Sequence, residues 1–166
     1  MGFNTEYLGQ LTITPRLNPT EVQWLLGFAD WGGLGGGDAF SLPMNPRAEL
    51  AAAFDRAGGS LPTSRAIPYG VRDWVVCEHG DHVRWRRAEK SNDAVRALGF
   101  LVRHYLGRGA LAKESGHPDF AEFTFDHRLD GVIAGERDDT DELFLLRVID
   151  NDITWETVVP GHDTAG

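Results

Sequence analysis

This chain of 166 residues has a single cysteine, no long apolar run and very few basic residues in its last third. Cys77 has no second cysteine to pair with, which excludes an internal disulfide and suits a reducing compartment. No stretch approaches the roughly 20 apolar residues needed to span a bilayer. The opening MGFNTEYLG lacks the basic start and apolar core of a signal peptide. Glu6 stands where a myristoylation motif after Met1-Gly2 requires Ser or Thr. The expectation is a cytoplasmic protein without membrane contact.

The scarcity of basic residues is local. Residues 1–113 carry 13 basic and 11 acidic side chains, whereas residues 114–166 carry 3 basic and 14 acidic ones, within a net charge of -9. DNA or RNA binding is not expected of such a chain, because neutralising phosphates needs clustered Lys and Arg. The acidic third keeps the protein soluble and guards strand edges, or it offers an electronegative face to a basic partner.

What is present reads as one α+β domain over residues 1–166, with 42% hydrophobic and 25% charged residues. Glu6 to Leu17 predicts a first strand, with Leu11, Ile13 and Leu17 on one face. Asn18-Pro19-Thr20-Glu21 predicts a capped helix start, and Val22, Leu25, Leu26 and Ala29 give that helix a buried stripe. Trp24, Phe28 and Trp31 add a second stripe, so this helix is expected to be covered on two sides. Residues 32–69 form a long Gly-rich loop opening on GGLGGG and holding a short helix from Asn45-Pro46 to about Ala57. The GGLGGG run follows a helix and carries no Lys, so it does not match a phosphate-binding loop.

Val71–Cys77 and His82–Arg87 predict a hairpin, and Ser91-Asn92-Asp93 opens the main helix, which ends near Gly107. From Phe120 to Val159 the alternation in FAEFTFD, LDGVIAGER, ELFLLRVID and DITWETVV predicts a four-stranded meander broken by HR, DDTD and ND. Residues 160–166 read as a flexible tail. The expected architecture is a largely antiparallel sheet with the two main helices on one face.

No catalytic motif stands out. Cys77, His79 and His82 invite a thiolate reading, but a lone cysteine in an apolar strand also serves as a small core residue. His117, Asp119, Asp126 and His127 cluster without any established metal spacing, and Asp126 and His127 should point to opposite faces. No metal or cofactor is therefore assigned. The turn Gly135-Glu136-Arg137-Asp138-Asp139 offers paired carboxylates and an arginine, although hairpin chemistry alone also asks for such residues. Arg84, Arg86, Arg87, Lys90, Arg96, Arg103 and Arg108, with Trp85 nearby, form a basic group suited to a nucleotide phosphate. Arg103 and Arg108 also sit where a helix dipole favours cations.

TEYLGQLTITPRLNPTEVQWLLGFA, HGDHVRWRRAEK, ALGFLVRHYL and VIDNDITW together resemble a family of small bacterial and phage proteins of uncharacterised function. The resemblance covers about two thirds of the chain, leaving out the loop from Gly32 to Tyr69, and implies a fold and a phage-related context without catalytic residues. Arg84, Arg86 and Arg103 replace the more aromatic character of that family's hairpin and helix. The leading expectation is a non-enzymatic binding protein that meets a protein partner or small ligand through its acidic face, in bacterium–phage conflict or toxin immunity. Glu136, Arg137, Asp138, Asp139, Trp31, Trp85, Arg84 and Arg87 are its candidate contacts, with Trp74 and Trp155 as further candidate anchors, and at least three of Trp31, Trp74, Trp85 and Trp155 should be core. The alternative is a small enzyme or nucleotide-binding protein using residues 84–108 and the Gly135–Asp139 turn. A homodimer is a further option.

Overall fold

The computed structural model describes residues 3–30, 71, 73–86, 94–114, 116 and 118–162. The loop over 32–69 with its short helix, the helix start at Ser91, the tail beyond His162, and Trp31, Arg87 and His117 lie outside the described residues. Among the described residues seven strands form one antiparallel sheet: β1 (Thr5–Leu8), β2 (Leu11–Thr14), β3 (Trp74–Val76), β4 (His82–Trp85), β5 (Arg128–Arg137), β6 (Leu143–Ile149) and β7 (Asp152–Val159). The order is β3-β4-β2-β5-β6-β7, with β1 also on β5. Helix α1 (Pro19–Asp30) and helix α2 (Ala94–Leu101) share one hydrophobic core with the covered face of this sheet. A π-helical turn, Val102–Leu106, continues α2, and a short helix α3 (Leu111–Glu114) follows. Among the described residues no helix is long and apolar enough to cross a membrane.

The predicted first strand is two strands in one register. Thr5 pairs with Arg137 and Leu8 with Ala134, then Leu11 with Gly131 and Thr14 with Arg128. The ladder breaks at Gly9, whose φ of 121° suits glycine, and where a Cβ would sit 2.9 Å from the Val132 carbonyl oxygen. Only β2 reaches the neighbouring β4, so the kink lets one segment serve as a central strand and the other remain at the margin.

The meander has three strands rather than four. Pro118–Phe120 is a 3-10 turn, and the residues up to His127 form no strand. The alternation that suggested a strand is real, since Phe123, Phe125 and His127 are buried. Their surroundings differ from a ladder: Phe125 has φ 53°, and the Thr124 amide donates to a side chain of α1. Burial against a helix has imitated the period of a strand. The two later turns fall where expected. Asp150 and Asn151 both have positive φ, the requirement of a two-residue type I′ hairpin.

An aromatic row crosses the covered face of the sheet. Ring centroids lie 5.1 Å apart for Trp74–Trp85, 5.1 Å for Trp85–Tyr7, 5.8 Å for Tyr7–Phe144 and 3.6 Å for Phe144–Trp155. Trp24, Trp74 and Trp85 are buried. Of the four tryptophans among which at least three are expected in the core, Trp74 and Trp85 are buried, Trp155 is 44% exposed on the edge strand β7, and Trp31 lies outside the described residues. Gly135 pairs with both Tyr7 and Phe144, and its bare Cα makes the row continuous. A Cβ there would lie 2.0 Å from the Phe144 ring. Gly135→Ala should therefore displace Phe144 and cost about 1–3 kcal/mol. Urea unfolding would read this as a lower midpoint, with loss of the near-ultraviolet aromatic signal.

Candidate functional site

The site is built on one buried carboxylate. Asn18 and Glu21 form the expected capping box: the Glu21 amide donates to Asn18 Oδ1 at 2.9 Å, and the Asn18 amide donates to Glu21 Oε2 at 2.8 Å. Capping consumes one oxygen of Glu21. The other, Oε1, accepts from the Thr124 amide at 2.8 Å, the Thr124 hydroxyl at 3.2 Å and His127 Nε2 at 3.0 Å. His127 Nδ1 lies 2.6 Å from the Pro15 carbonyl oxygen, just beyond the cis Thr14–Pro15 bond.

Both partners are 1% exposed. The Pro15 carbonyl can only accept and the Glu21 oxygen is a carboxylate's, so both ring nitrogens of His127 donate and the imidazole carries a charge. Burial opposes ionisation of both groups. For His127 it is outweighed by the hydrogen bonds to Glu21 and Pro15 and the negative charge of Glu21, which hold the imidazole above its ordinary pKa. For Glu21 it is outweighed by hydrogen bonds from His127, Thr124 and Asn18, which pull the carboxyl below its ordinary pKa.

One edge of His127 borders a cleft of about 820 Å³. Three guanidinium side chains line it from separate segments: Arg103 from the π turn, Arg108 from the Gly107–Gly109 turn and Arg128 from the start of β5. Asp126 and Asp150 lie on its rim, with Arg128 Nε 3.9 Å from Asp150. Arg103 and Arg108 make no ion pair among the described residues. The Gly107 amide closes the π turn on the Val102 carbonyl at 2.9 Å, and within this turn Arg103 is exposed while His104, Tyr105 and Leu106 are buried. Asn151 also lines the cleft: its side chain accepts from the Leu129 amide at 2.8 Å and donates to the His127 carbonyl at 2.9 Å.

The acidic turn looks inward to its own neighbours. Arg137 donates to both oxygens of Asp139, at 3.1 and 2.9 Å, and stacks over Phe3 at 4.2 Å. The guanidinium holds the Asp139 carboxyl below its ordinary pKa. Asp138 accepts from the Asn4 amide at 2.7 Å and from the Asn4 side chain at 3.0 Å. Of the predicted contacts in this turn, Glu136 alone stands on the open face of the sheet. Arg84 is exposed on β4, but Trp85 is buried in the aromatic row and offers no contact surface.

The open face carries Leu8, Val132, Leu143 and Ile149, all exposed, beside Glu6, Glu136, Asp152 and Glu156. Its Arg147 is occupied by Glu156 at 3.1 Å. At the β3–β4 hairpin, Cys77 Sγ donates to Asp81 Oδ1 at 3.0 Å, and His82 Nδ1 lies 2.7 Å from the same oxygen. These two bonds hold the Asp81 carboxyl below its ordinary pKa. His82 thus joins Cys77 through Asp81, a carboxylate that the sequence alone placed only in the turn between them. The cleft was half legible: Arg103, Arg108, Asp126 and His127 were marked, while Arg128 was not and Glu21 was read only as part of a helix cap. Nothing in their spacing places residues 103, 108 and 128 together. Comparison with protein-family models, curated proteins and solved structures found no match.

The ion pair makes a signed prediction. His127 stabilises fully below its ordinary pKa of 6.5 and loses this as pH rises through its raised folded value. Glu21 stabilises fully above its ordinary 4.5 and loses this as pH falls through its lowered folded value. The pair's contribution is greatest between these two ordinary values. His127→Gln should cost about 3–5 kcal/mol by leaving a buried carboxylate uncompensated. Urea titrations across pH should also find its alkaline loss of stability flattened.

Proposed function

We propose that the protein is a binding protein whose arginine-lined cleft takes a small anionic ligand, phosphate-bearing by preference. The observation that carries this reading is the convergence of Arg103, Arg108 and Arg128 on one cleft, the first two without ion-pair partners among the described residues. Arginine presents a planar fork that matches phosphate and carboxylate oxygens. The cleft lies within the range of small-molecule sites, roughly 300–1,000 Å³. It draws on the basic stretch 84–108 but leaves out the Gly135–Asp139 turn. His127 has both ring nitrogens committed, so this geometry gives it a charged, positioning role rather than that of a general base.

A second reading rests on the open sheet face, where exposed Leu8, Val132 and Ile149 lie among carboxylates. Such a face suits a protein partner with apolar and basic side chains, a second copy included. In this reading the resemblance to bacterial and phage proteins supplies the context of conflict or toxin immunity.

Calorimetric titration at low salt with inorganic phosphate and with nucleoside mono- and triphosphates tests the first reading. Arg103→Ala and Arg108→Ala should each weaken binding roughly ten- to hundredfold, the scale of a lost charge-assisted hydrogen bond of about 1.5–3 kcal/mol. Undiminished binding in the double variant, or none by any of these compounds, would reject it. The second reading expects a stoichiometric partner that survives purification and is lost from Val132→Lys/Ile149→Lys at unchanged circular dichroism. Retention by that variant removes the open face as the contact.

A further inference from the structure

The β3–β4 hairpin gathers three different ligand chemistries at one point. Cys77 Sγ, a carboxylate oxygen of Asp81 and a ring nitrogen of His82 all lie within 4.8 Å of one another. Asp81 Oδ1 sits between the other two, 3.0 Å from the sulfur and 2.7 Å from His82 Nδ1. Around a tetrahedral metal with bonds of about 2.0–2.3 Å, donor atoms stand roughly 3.3–3.8 Å apart. The present cluster therefore reaches that spacing by side-chain shifts of about an ångström.

The backbone beneath the cluster is already held. Cys77 and His82 are joined across the turn by the Cys77 amide on the His82 carbonyl at 3.0 Å, and the Gly80 amide closes on the Cys77 carbonyl at 3.0 Å. The tip is docked on the rest of the domain, with the Ile13 amide on the Asp81 carbonyl and the Leu17 amide on the Gly80 carbonyl, both at 2.8 Å. Gly80 has φ 74°, and a Cβ there would meet the Leu17 carbonyl oxygen at 2.6 Å, so the turn has little room to move. His82 and Asp81 side chains are 30% and 58% exposed, which gives an ion a direct route in.

We propose that Cys77, Asp81 and His82 form a transition-metal site with three protein ligands and a fourth position open to water or an external ligand. A thiolate with an imidazole selects borderline-soft ions such as Zn²⁺ or Co²⁺ over Mg²⁺ and Ca²⁺, which seek oxygen alone. The same geometry argues against a Cys–His nucleophile. The thiol donates to Asp81, and the imidazole meets that carboxylate rather than the sulfur. Binding releases the thiol proton, and the neutral imidazole that ligates through Nδ1 keeps its one ring proton on Nε2.

The full chain, reduced and stripped of metal, would be titrated with Co²⁺ and followed by absorbance. The expected result is one Co²⁺ per chain, with a thiolate-to-cobalt charge-transfer band, tetrahedral ligand-field bands, and loss of both on adding Zn²⁺. Cys77 is the only cysteine, so Cys77→Ser must abolish the charge-transfer band. Asp81→Asn and His82→Ala should each weaken Co²⁺ binding at least about tenfold, a loss that even outer-shell partners reach. His79→Ala, beside the site, should leave affinity unchanged. No band at stoichiometric Co²⁺, affinity indifferent to Asp81→Asn and His82→Ala, or one ion shared by two chains would each overturn the three-ligand site.

Discussion

The carboxylate of Glu21 is the point through which three separate parts of the chain are fixed. Its two oxygens accept from the Asn18 amide, the Thr124 amide and hydroxyl, and the His127 ring. Helix α1, the irregular stretch before β5 and Pro15, just after β2, meet there. A buried charge of this kind is costly unless its lone pairs are filled, and here both oxygens are engaged. The arrangement therefore selects one packing of these segments over near alternatives in which a donor would be missing. It also fixes one residue of the cleft, because Glu21 and Pro15 hold the ring of His127, which lines that space.

The sheet is organised by a second constraint, the need to lay large rings across strands 4.7–4.9 Å apart without gaps. Gly135 resolves it by removing the one side chain that would stand under Phe144. Trp155 then caps the row on an edge strand whose other residues are mostly exposed. A single covered face follows, and the opposite face is left to Leu8, Val132 and a set of carboxylates. Within the acidic last third, charges pair locally among the described residues. Its arginines Arg128, Arg137 and Arg147 meet acidic residues of the same third, while Arg103 and Arg108 face the cleft.

Much of the fold was legible from local rules. The capping box at Asn18–Glu21, the hairpin around Gly80 and the type I′ turn at Asp150-Asn151 depend on a few neighbouring residues, so their signals survive in the sequence. The misreadings share one cause. Phe123, Phe125 and His127 alternate in burial as a strand would, but period alone does not say whether the burying partner is a sheet or a helix. Gly9 likewise hides a break, because the register on both sides is unchanged. For the candidate site, Arg103 and Arg108 were marked by charge, whereas Trp85 was marked for the wrong reason, its size serving the core.

By itself the sequence determined the class of object: an antiparallel α+β domain, acidic in its last third, with a defined helix start and defined turns. Those features arise from interactions between residues close in the chain, where spacing and chemistry are enough. Only the tertiary structure decided which charges face each other. Glu21 and His127 are 106 residues apart and share a hydrogen bond, and Arg103 of the π turn lines one cleft with Arg128 of β5. Contacts of that separation depend on how the elements pack, which periodicity and composition do not encode.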